Sequence, residues 1–333
     1  MKVSHGTKKA DVLLGALDEL NEMWGHTDND QMFGGRFDDI MRGGKGDDVI
    51  WGDRGADLIL GNTGDDAIWG SVDNDTILAG VGNDRVSGGK GDDSLAGGKG
   101  DDDLHGNTGD DVLAGGSGND SLAGEAGNDV LDGGAGDDKI LAGTGDDLVR
   151  ASRGADTYVG GTGADTIDFS RIVGKLDVDL GAHAADVAFG ANVVRQTLWG
   201  FETVIGNDAG GTFKGDKGDT AFLGGAGDDS FRGMGGSDSF LGGSGADLFT
   251  ILKKDTAGGA VDTIDDFEVG VDHLDLSDFL KGRSGVDAAL RLADGGDATT
   301  VQGLVGKTWV DVVVLEGVNM ADHSADLLGQ LLA

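Results

Sequence analysis

The chain contains no cysteine and no proline, one tyrosine, and aromatic residues at only 5% of its 333 positions. Without cysteine, no disulfide can stabilise it, and thiolate metal sites are excluded. No apolar run approaches the 18 or more residues of a membrane span. The N-terminal "MKVSHGTKKADVLLG" has lysines but only a three-residue apolar run, Val12 to Leu14, too short for the core of a secretory signal peptide. Positive charge is scarce as well: 25 Lys and Arg face 61 Asp and Glu, a formal net charge of -36. Such a surface repels nucleic acid and anionic membranes, so no nucleic-acid partner and no membrane insertion are expected. It attracts cations.

What is abundant is glycine, 66 residues, nearly three times the usual share of about 7%. High charge and few aromatics suit a disordered chain, but the glycines are periodic. From Gly34 to Asp168 the sequence is fifteen consecutive units of nine with the pattern G-G-x-G-x-D-x-U-x, where U is apolar. The sixth position is Asp in every unit: Asp39, Asp48, Asp57, Asp66, Asp75, Asp84, Asp93, Asp102, Asp111, Asp120, Asp129, Asp138, Asp147, Asp156 and Asp165. The eighth is always apolar, from Met41 to Ile167, and the fourth departs from Gly only at Phe37 and Asp73. Residues 1–33 read as degenerate capping coils, retaining Asp11, Leu13, Asp30 and Met32. Within them "ALDELNEMW" suits a distorted coil better than a short helix. A second block, 206–252, carries Asp229, Asp238 and Asp247 with Phe231, Phe240 and Phe249. Its first two units keep Phe213 and Phe222 but lack the aspartate, so weak or no metal binding is expected there. Residues 169–205 read as two or three ordinary strands, and 253–333 as a small β-rich domain.

One unit makes a short x-U-x strand and a G-G-x-G-x-D turn, in which glycine permits positive φ. Two units form an 18-residue coil. Stacked coils pair in parallel at about 4.8 Å, giving a ladder of U side chains inside and aspartate columns along the turn edges. Such a coil is unstable alone. Ordering each residue costs about 1–2 kcal/mol of backbone entropy, one buried aliphatic side chain returns about 1.5–3 kcal/mol, and stacked carboxylates repel by about 1 kcal/mol or more per pair. A cation reverses the repulsion. Calcium accepts six to eight oxygens in flexible geometry, whereas magnesium demands a strict octahedron and zinc prefers His and Cys.

The repeat resembles the RTX, or haemolysin-type, calcium-binding nonapeptide over residues 25–168 and 224–250. That resemblance implies an all-β fold, a parallel β-roll in two repeat blocks, with one Ca2+ between successive turns on each edge. The implied ligands are the eighteen sixth-position aspartates named above with carbonyls of the adjoining glycine turns, for on the order of 10–15 ions. Phe37 and Asp73 depart from the pattern at their turns. After Thr250, "DFEVGVDHLDLS" (Asp266 to Ser277) and "VVVLEGVNMADHSADLLGQLLA" resemble the C-terminal target domain of type I secretion substrates. A type I exporter is then the implied partner, the destination is extracellular, and the chain folds there in millimolar calcium.

Several side readings accompany this. Phe33, Trp51 and Trp69 are eighteen apart and stack on one face, as Leu60 and Leu78 do opposite. The strip is either a docking site for a partner or glycan, or packing under the N-terminal cap or against the C-terminal domain; rarity of exposed apolar strips favours packing. Lys and Arg at third positions (Arg36, Lys45, Arg54, Lys90, Lys99, Arg153) balance charge on solvated turns. Fifth-position aspartates such as Asp47, Asp92 and Asp101 read mainly as solvated or placed just behind the metal ligands, with a minority, about one in four, as direct ligands. The sequence holds no His-Glu-x-x-His and no Gly-x-Ser-x-Gly, and the repeat accounts for its paired carboxylates. The third positions are too mixed for a regular ice-binding array. The expectation is a non-enzymatic, secreted, calcium-binding protein with a structural or adhesive task and a cell-surface or glycan partner. The alternative is the export and folding module of a larger enzyme or toxin; Met1 followed at once by degenerate repeats favours a complete chain.

Overall fold

A computed structural model describes residues 1–333 except 17–18, 191, 282–289, 321–328 and 330–333. It is all-β, with 56% of residues in strands and 4% in helix, and forms two compact units, Met1–Ile167 and Asp168–Ala333. Among the described residues no helix is long and apolar enough to cross a membrane.

The first unit is a parallel β-solenoid. Strands alternate between two ladders, so each strand pairs with the one eighteen residues away: Ser94–Lys99 lies between Thr76–Val81 and Val112–Ser117, and Asp103–Thr108 between Arg85–Lys90 and Ser121–Ala126. The eighth-position residues point inward. One column runs Met23, Met41, Ile59, Ile77, Leu95, Leu113, Leu131 and Val149; the other runs Met32, Ile50, Ile68, Val86, Leu104, Leu122, Ile140 and Tyr158, all essentially inaccessible. The core is thus two side chains wide. It leaves the aspartate edges within reach of solvent-derived ions while each coil relies on its neighbours for burial.

The strands are longer than the expected x-U-x. Val112–Ser117 spans six residues, Val-Leu-Ala-Gly-Gly-Ser, with Leu113 and Gly115 facing inward. Both glycines continue the ladder, and only positions four to six turn. The reason is that a first-position glycine takes ordinary extended backbone, its missing side chain leaving inward space. Positive φ begins at the second position, where Gly116 has φ 114°, and recurs at the fourth. Gly109 has φ 130°, and a methyl there would collide with the carbonyl group of Gly91 one coil below.

The N-terminal segment forms one more coil. Lys2–His5 pairs with Asn21–Thr27, and Val12–Leu14 with Gln31–Gly35, both at an offset of nineteen rather than eighteen. Asn21–Thr27 is a strand, in keeping with a distorted coil; residues 17 and 18 lie outside the described residues.

In the second unit an antiparallel set, Lys175–Asp179, Ala184–Phe189 and Asn192–Trp199, precedes the resumed roll. Its core is aromatic: Phe213 stacks on Phe231 and Phe231 on Phe249, each at 5.2 Å, while Phe222 stacks on Phe240 at 6.0 Å. Beyond it, Ala298–Val305 pairs antiparallel with Leu290–Asp294 and Thr308–Glu316. Most of the segment "VVVLEGVNMADHSADLLGQLLA" after Met320 lies outside the described residues.

Candidate metal centre

The two side chains of each Asp-Asp or Asn-Asp turn staple the coils in opposite directions. At the sixth position, the backbone N–H of one aspartate donates to Oδ1 of the aspartate one coil further on. Asp48 donates to Asp66 at 2.8 Å and Asp66 to Asp84 at 2.8 Å on one edge; Asp75 donates to Asp93 at 2.7 Å and Asp93 to Asp111 at 2.7 Å on the other. At the fifth position the sense reverses. The N–H of Asn83 donates back to Oδ1 of Asp65 at 2.7 Å, that of Asp101 to Asn83 at 2.8 Å, and that of Asn119 to Asp101 at 2.7 Å. An amide oxygen serves here as well as a carboxylate, which is why Asn and Asp alternate at this position. Fifth-position residues are therefore coil-to-coil staples with exposed side chains, more than the solvated charges expected of them.

Once Oδ1 is used, Oδ2 of the sixth-position aspartate remains. It is buried and has no hydrogen-bond partner at Asp30, at each repeat aspartate from Asp39 to Asp147, and at Asp229, Asp238 and Asp247. A buried unpaired carboxylate oxygen is costly, and one per coil edge is a pattern that demands a counter-ion. Where the first position is glycine, its missing side chain makes the space; Ala79 and Ala142 put a methyl there, ahead of Asp84 and Asp147. A methyl on Gly106 would fall on Asp111 Oδ2 and lie 2.9 Å from the carbonyl oxygen of Gly124, one coil on. Carboxylate and carbonyl oxygens thus converge on the volume that a side chain would otherwise occupy.

The donor set is oxygen only, anionic, and repeated at coil spacing. That suits calcium, a hard cation content with carboxylates and backbone carbonyls. Among the described residues no three His, Cys, Asp or Glu side chains gather as a metal-holding group. An ion held here would have one carboxylate oxygen from each aspartate, supplemented by backbone carbonyls, unlike the carboxylate clusters of Asp-rich sites. Ionisation tells the same story. Burial first, and neighbouring aspartates second, push Asp57 and Asp66 up to about 8, Asp75, Asp102 and Asp129 to about 7, and Asp48, Asp93 and Asp111 to about 6. The bare roll resists holding these carboxylates charged.

All eighteen aspartates singled out from the sequence sit in the columns, but Asp156 differs at its second oxygen. Its Oδ2 accepts from the Tyr158 hydroxyl at 2.7 Å and the Ser152 hydroxyl at 3.3 Å. Tyr158 fills an inward position that every other unit of the run gives to an aliphatic side chain, and its hydroxyl occupies the oxygen that elsewhere is left for an ion. Asp156 therefore lacks the feature that marks the other edges as cation sites. At Phe37 and Asp73, by contrast, the departures leave the Oδ2 of Asp39 and Asp75 unpaired like the rest.

Asp30, kept by the degenerate unit from Gly25, joins the column, and two further members, Asp262 and Asp272, escaped the nine-residue pattern. Asp30 accepts from Asp11 N–H at 2.7 Å and donates to Asp48. Asp238 N–H donates to Asp262 Oδ1 at 3.0 Å, and Asp247 N–H to Asp272 Oδ1 at 3.1 Å. The last two lie 24 and 25 residues along instead of 18, because loops lengthen the final coils. The units from Gly206 and Gly215 lack the aspartate, yet Gly211 N–H and Thr220 N–H still donate forward to Asp229 and Asp238. The staple persists without the ligand.

Comparison with known proteins gives one family. The model of the RTX calcium-binding nonapeptide repeat matches overlapping segments that together span residues 24–167, and a further copy at 214–249, just over half of the chain. No curated protein matches the chain. Among solved structures, the extracellular lipase LipA from Serratia marcescens is similar at 15% identity over 68% of this chain, with a TM-score of 0.18. The chain spans 39% of that lipase's length.

Proposed function

The chain belongs to the RTX calcium-binding nonapeptide repeat family, and from that premise we propose that it is a secreted protein whose roll folds on binding many calcium ions outside the cell. The observation that supports this most directly is the file of buried, unpaired Oδ2 atoms along both edges. In the cytosol, where calcium is scarce, these charges oppose stacking and keep the chain export-competent. In millimolar calcium the ions supply the missing positive charge, and folding free energy comes from binding. The sites are those of the sixth-position aspartates, Asp156 excepted, and the number of ions is on the order of ten to fifteen.

The task is structural or adhesive and non-enzymatic. Support comes from the sequence, which holds neither a His-Glu-x-x-His nor a Gly-x-Ser-x-Gly motif. A type I exporter is the partner for secretion, supported by the resemblance of Asp266 to Ser277 to the target domains of its substrates. The test is far-ultraviolet circular dichroism of the whole chain with calcium and with excess EGTA. The β signal should collapse on chelation and return with calcium; a signal unchanged in EGTA overturns the reading.

A further inference from the structure

The outward face of one ladder carries a row that the calcium sites do not explain. Phe33, Trp51 and Trp69 lie in register on Gln31–Gly35, Val49–Arg54 and Ala67–Val72. Their rings stack at 4.5 and 5.2 Å, tilted by only 6° and 9°. Stacked this way, the rings cover one another's faces. The row then stops, because the next rung presents Ser87 opposite Trp69, and the rung after that presents His105. Trp69 is 36% exposed, the open end of the stack.

A missing ring between two rings makes a slot. Trp69 and His105 stand two rungs apart, about 9.6 Å at ordinary strand spacing, with small Ser87 as the floor between them. The notch measures about 220 Å3 and is lined by Trp69, Arg85, Ser87, Asp103 and His105 over the backbone of Ile68 and Val86. His105 is braced: Nε2 lies 3.3 Å from Asp103 Oδ1 and Nδ1 lies 3.1 Å from Glu125 Oε1. Arg85 at the rim makes no side-chain ion pair among the described residues, leaving the donors of its guanidinium for a ligand.

We propose that this notch binds a neutral pyranose residue of a glycan. A sugar ring has a face of C–H bonds, which suits the electron-rich face of the Trp69 indole, and an edge of hydroxyls. Those hydroxyls meet the donors of Arg85 and acceptors on Asp103 and Ser87, while the His105 ring, held by its two carboxylates, forms the far wall of the slot. Other ring ligands fit less well. A wholly apolar ring would strip water from Arg85 and Asp103 without replacing it. A nucleotide or acidic glycan meets the repulsion of a chain of net charge -36. A quaternary ammonium would find Arg85 in its path. The inference rests on the calcium-folded roll proposed above and gives its adhesive role a ligand class.

The test uses the full chain in millimolar calcium, with circular dichroism and bound-calcium stoichiometry read on the same samples, so that failure to fold is told apart from failure to bind. Cellopentaose, maltopentaose and laminaripentaose are the neutral probes, and an alginate oligomer is the acidic one; the readouts are tryptophan fluorescence and calorimetry. At least one neutral oligosaccharide should saturate the signal. Trp69→Ala should weaken it by about tenfold or more. Ser87→Trp, which extends the stack and fills the slot, should abolish it while the roll remains folded; this variant decides the matter if Trp69→Ala disturbs the stack. The proposal is overturned if no neutral probe binds, if Ser87→Trp binds as well as the original chain, or if alginate binds equally.

Discussion

Asp111→Asn separates the two jobs of a repeat carboxylate. Asn is nearly isosteric. Its amide oxygen can take the place of Oδ1 and keep the 2.7 Å bond from Asp93 N–H. Its Nδ2 would replace Oδ2, the buried oxygen that has no partner, and would present hydrogens where Gly124 presents its carbonyl. With calcium, one cage is lost. If free calcium stands a hundredfold above the site's Kd, the loss is about 2.7 kcal/mol. Without calcium, the sign reverses. Asp111 sits one rung from Asp93 and one from Asp129, and removing its charge relieves about 1–3 kcal/mol of repulsion per neighbour at about 4.8 Å. The variant should therefore be less stable than the original chain in calcium and more stable in EGTA, with trimethylamine N-oxide added to populate the metal-free roll. Urea unfolding followed by circular dichroism reads both arms, and calorimetry reads the calcium count, which should fall. Asp111→Ala, which also removes the Oδ1 staple, should be worse than Asn in both conditions by about 1 kcal/mol. Destabilisation by Asn in both conditions, or an unchanged calcium count, would refute the assignment of Oδ2 as a ligand.

Three further outcomes follow from other parts of the roll. Gly109→Ala places a methyl on the Gly91 carbonyl at φ 130°, so calcium-loaded stability should drop by about 1–3 kcal/mol or more; an unchanged urea midpoint would show that the turn can relax. Tyr158→Phe removes the 2.7 Å donor from Asp156 Oδ2 and should add one calcium to the stoichiometry, while costing about 1–3 kcal/mol at low calcium; mass spectrometry of the folded protein counts the ions. The third outcome concerns pH in EGTA. Asp57 and Asp66 are pushed up to about 8, and Asp75, Asp102 and Asp129 to about 7, against 3.8 when unfolded. The folded state then binds more protons, so stability of the metal-free roll is greatest below the unfolded value and is lost as pH rises through 6 to 8. The β signal in EGTA should grow on acidification from pH 8 towards 5; a signal that shrinks would contradict the shifts.

The limits of the sequence pattern are instructive residue by residue. The period of nine located Asp39 to Asp165 because one side chain per turn must recur at one edge. It missed Asp262 and Asp272, which the backbone brings into the same column after 24 and 25 residues, since a loop that lengthens a coil breaks the spacing without breaking the stacking. It treated Asp156 as one more ligand, because a tyrosine at an apolar position still reads as core. Only the three-dimensional path of Tyr158 shows its hydroxyl reaching the carboxylate. The extent of the strands was likewise hidden: glycine reads as a turn former, yet at the first position it continues a strand and vacates space for Oδ2.

Composition and period alone determined the solenoid, its coil of eighteen, its inward apolar columns and its edge columns of carboxylates suited to an oxygen-loving cation, because these follow from repetition and from charge. Tertiary structure decided which oxygen of each carboxylate is committed and which is left. One oxygen is bonded to the backbone of the neighbouring coil and the other is buried without a partner, a division that arises only when coils stack and so cannot be written in any single repeat. The open end of the aromatic stack at Trp69 has the same origin, since a slot exists only between rungs that the chain visits eighteen residues apart.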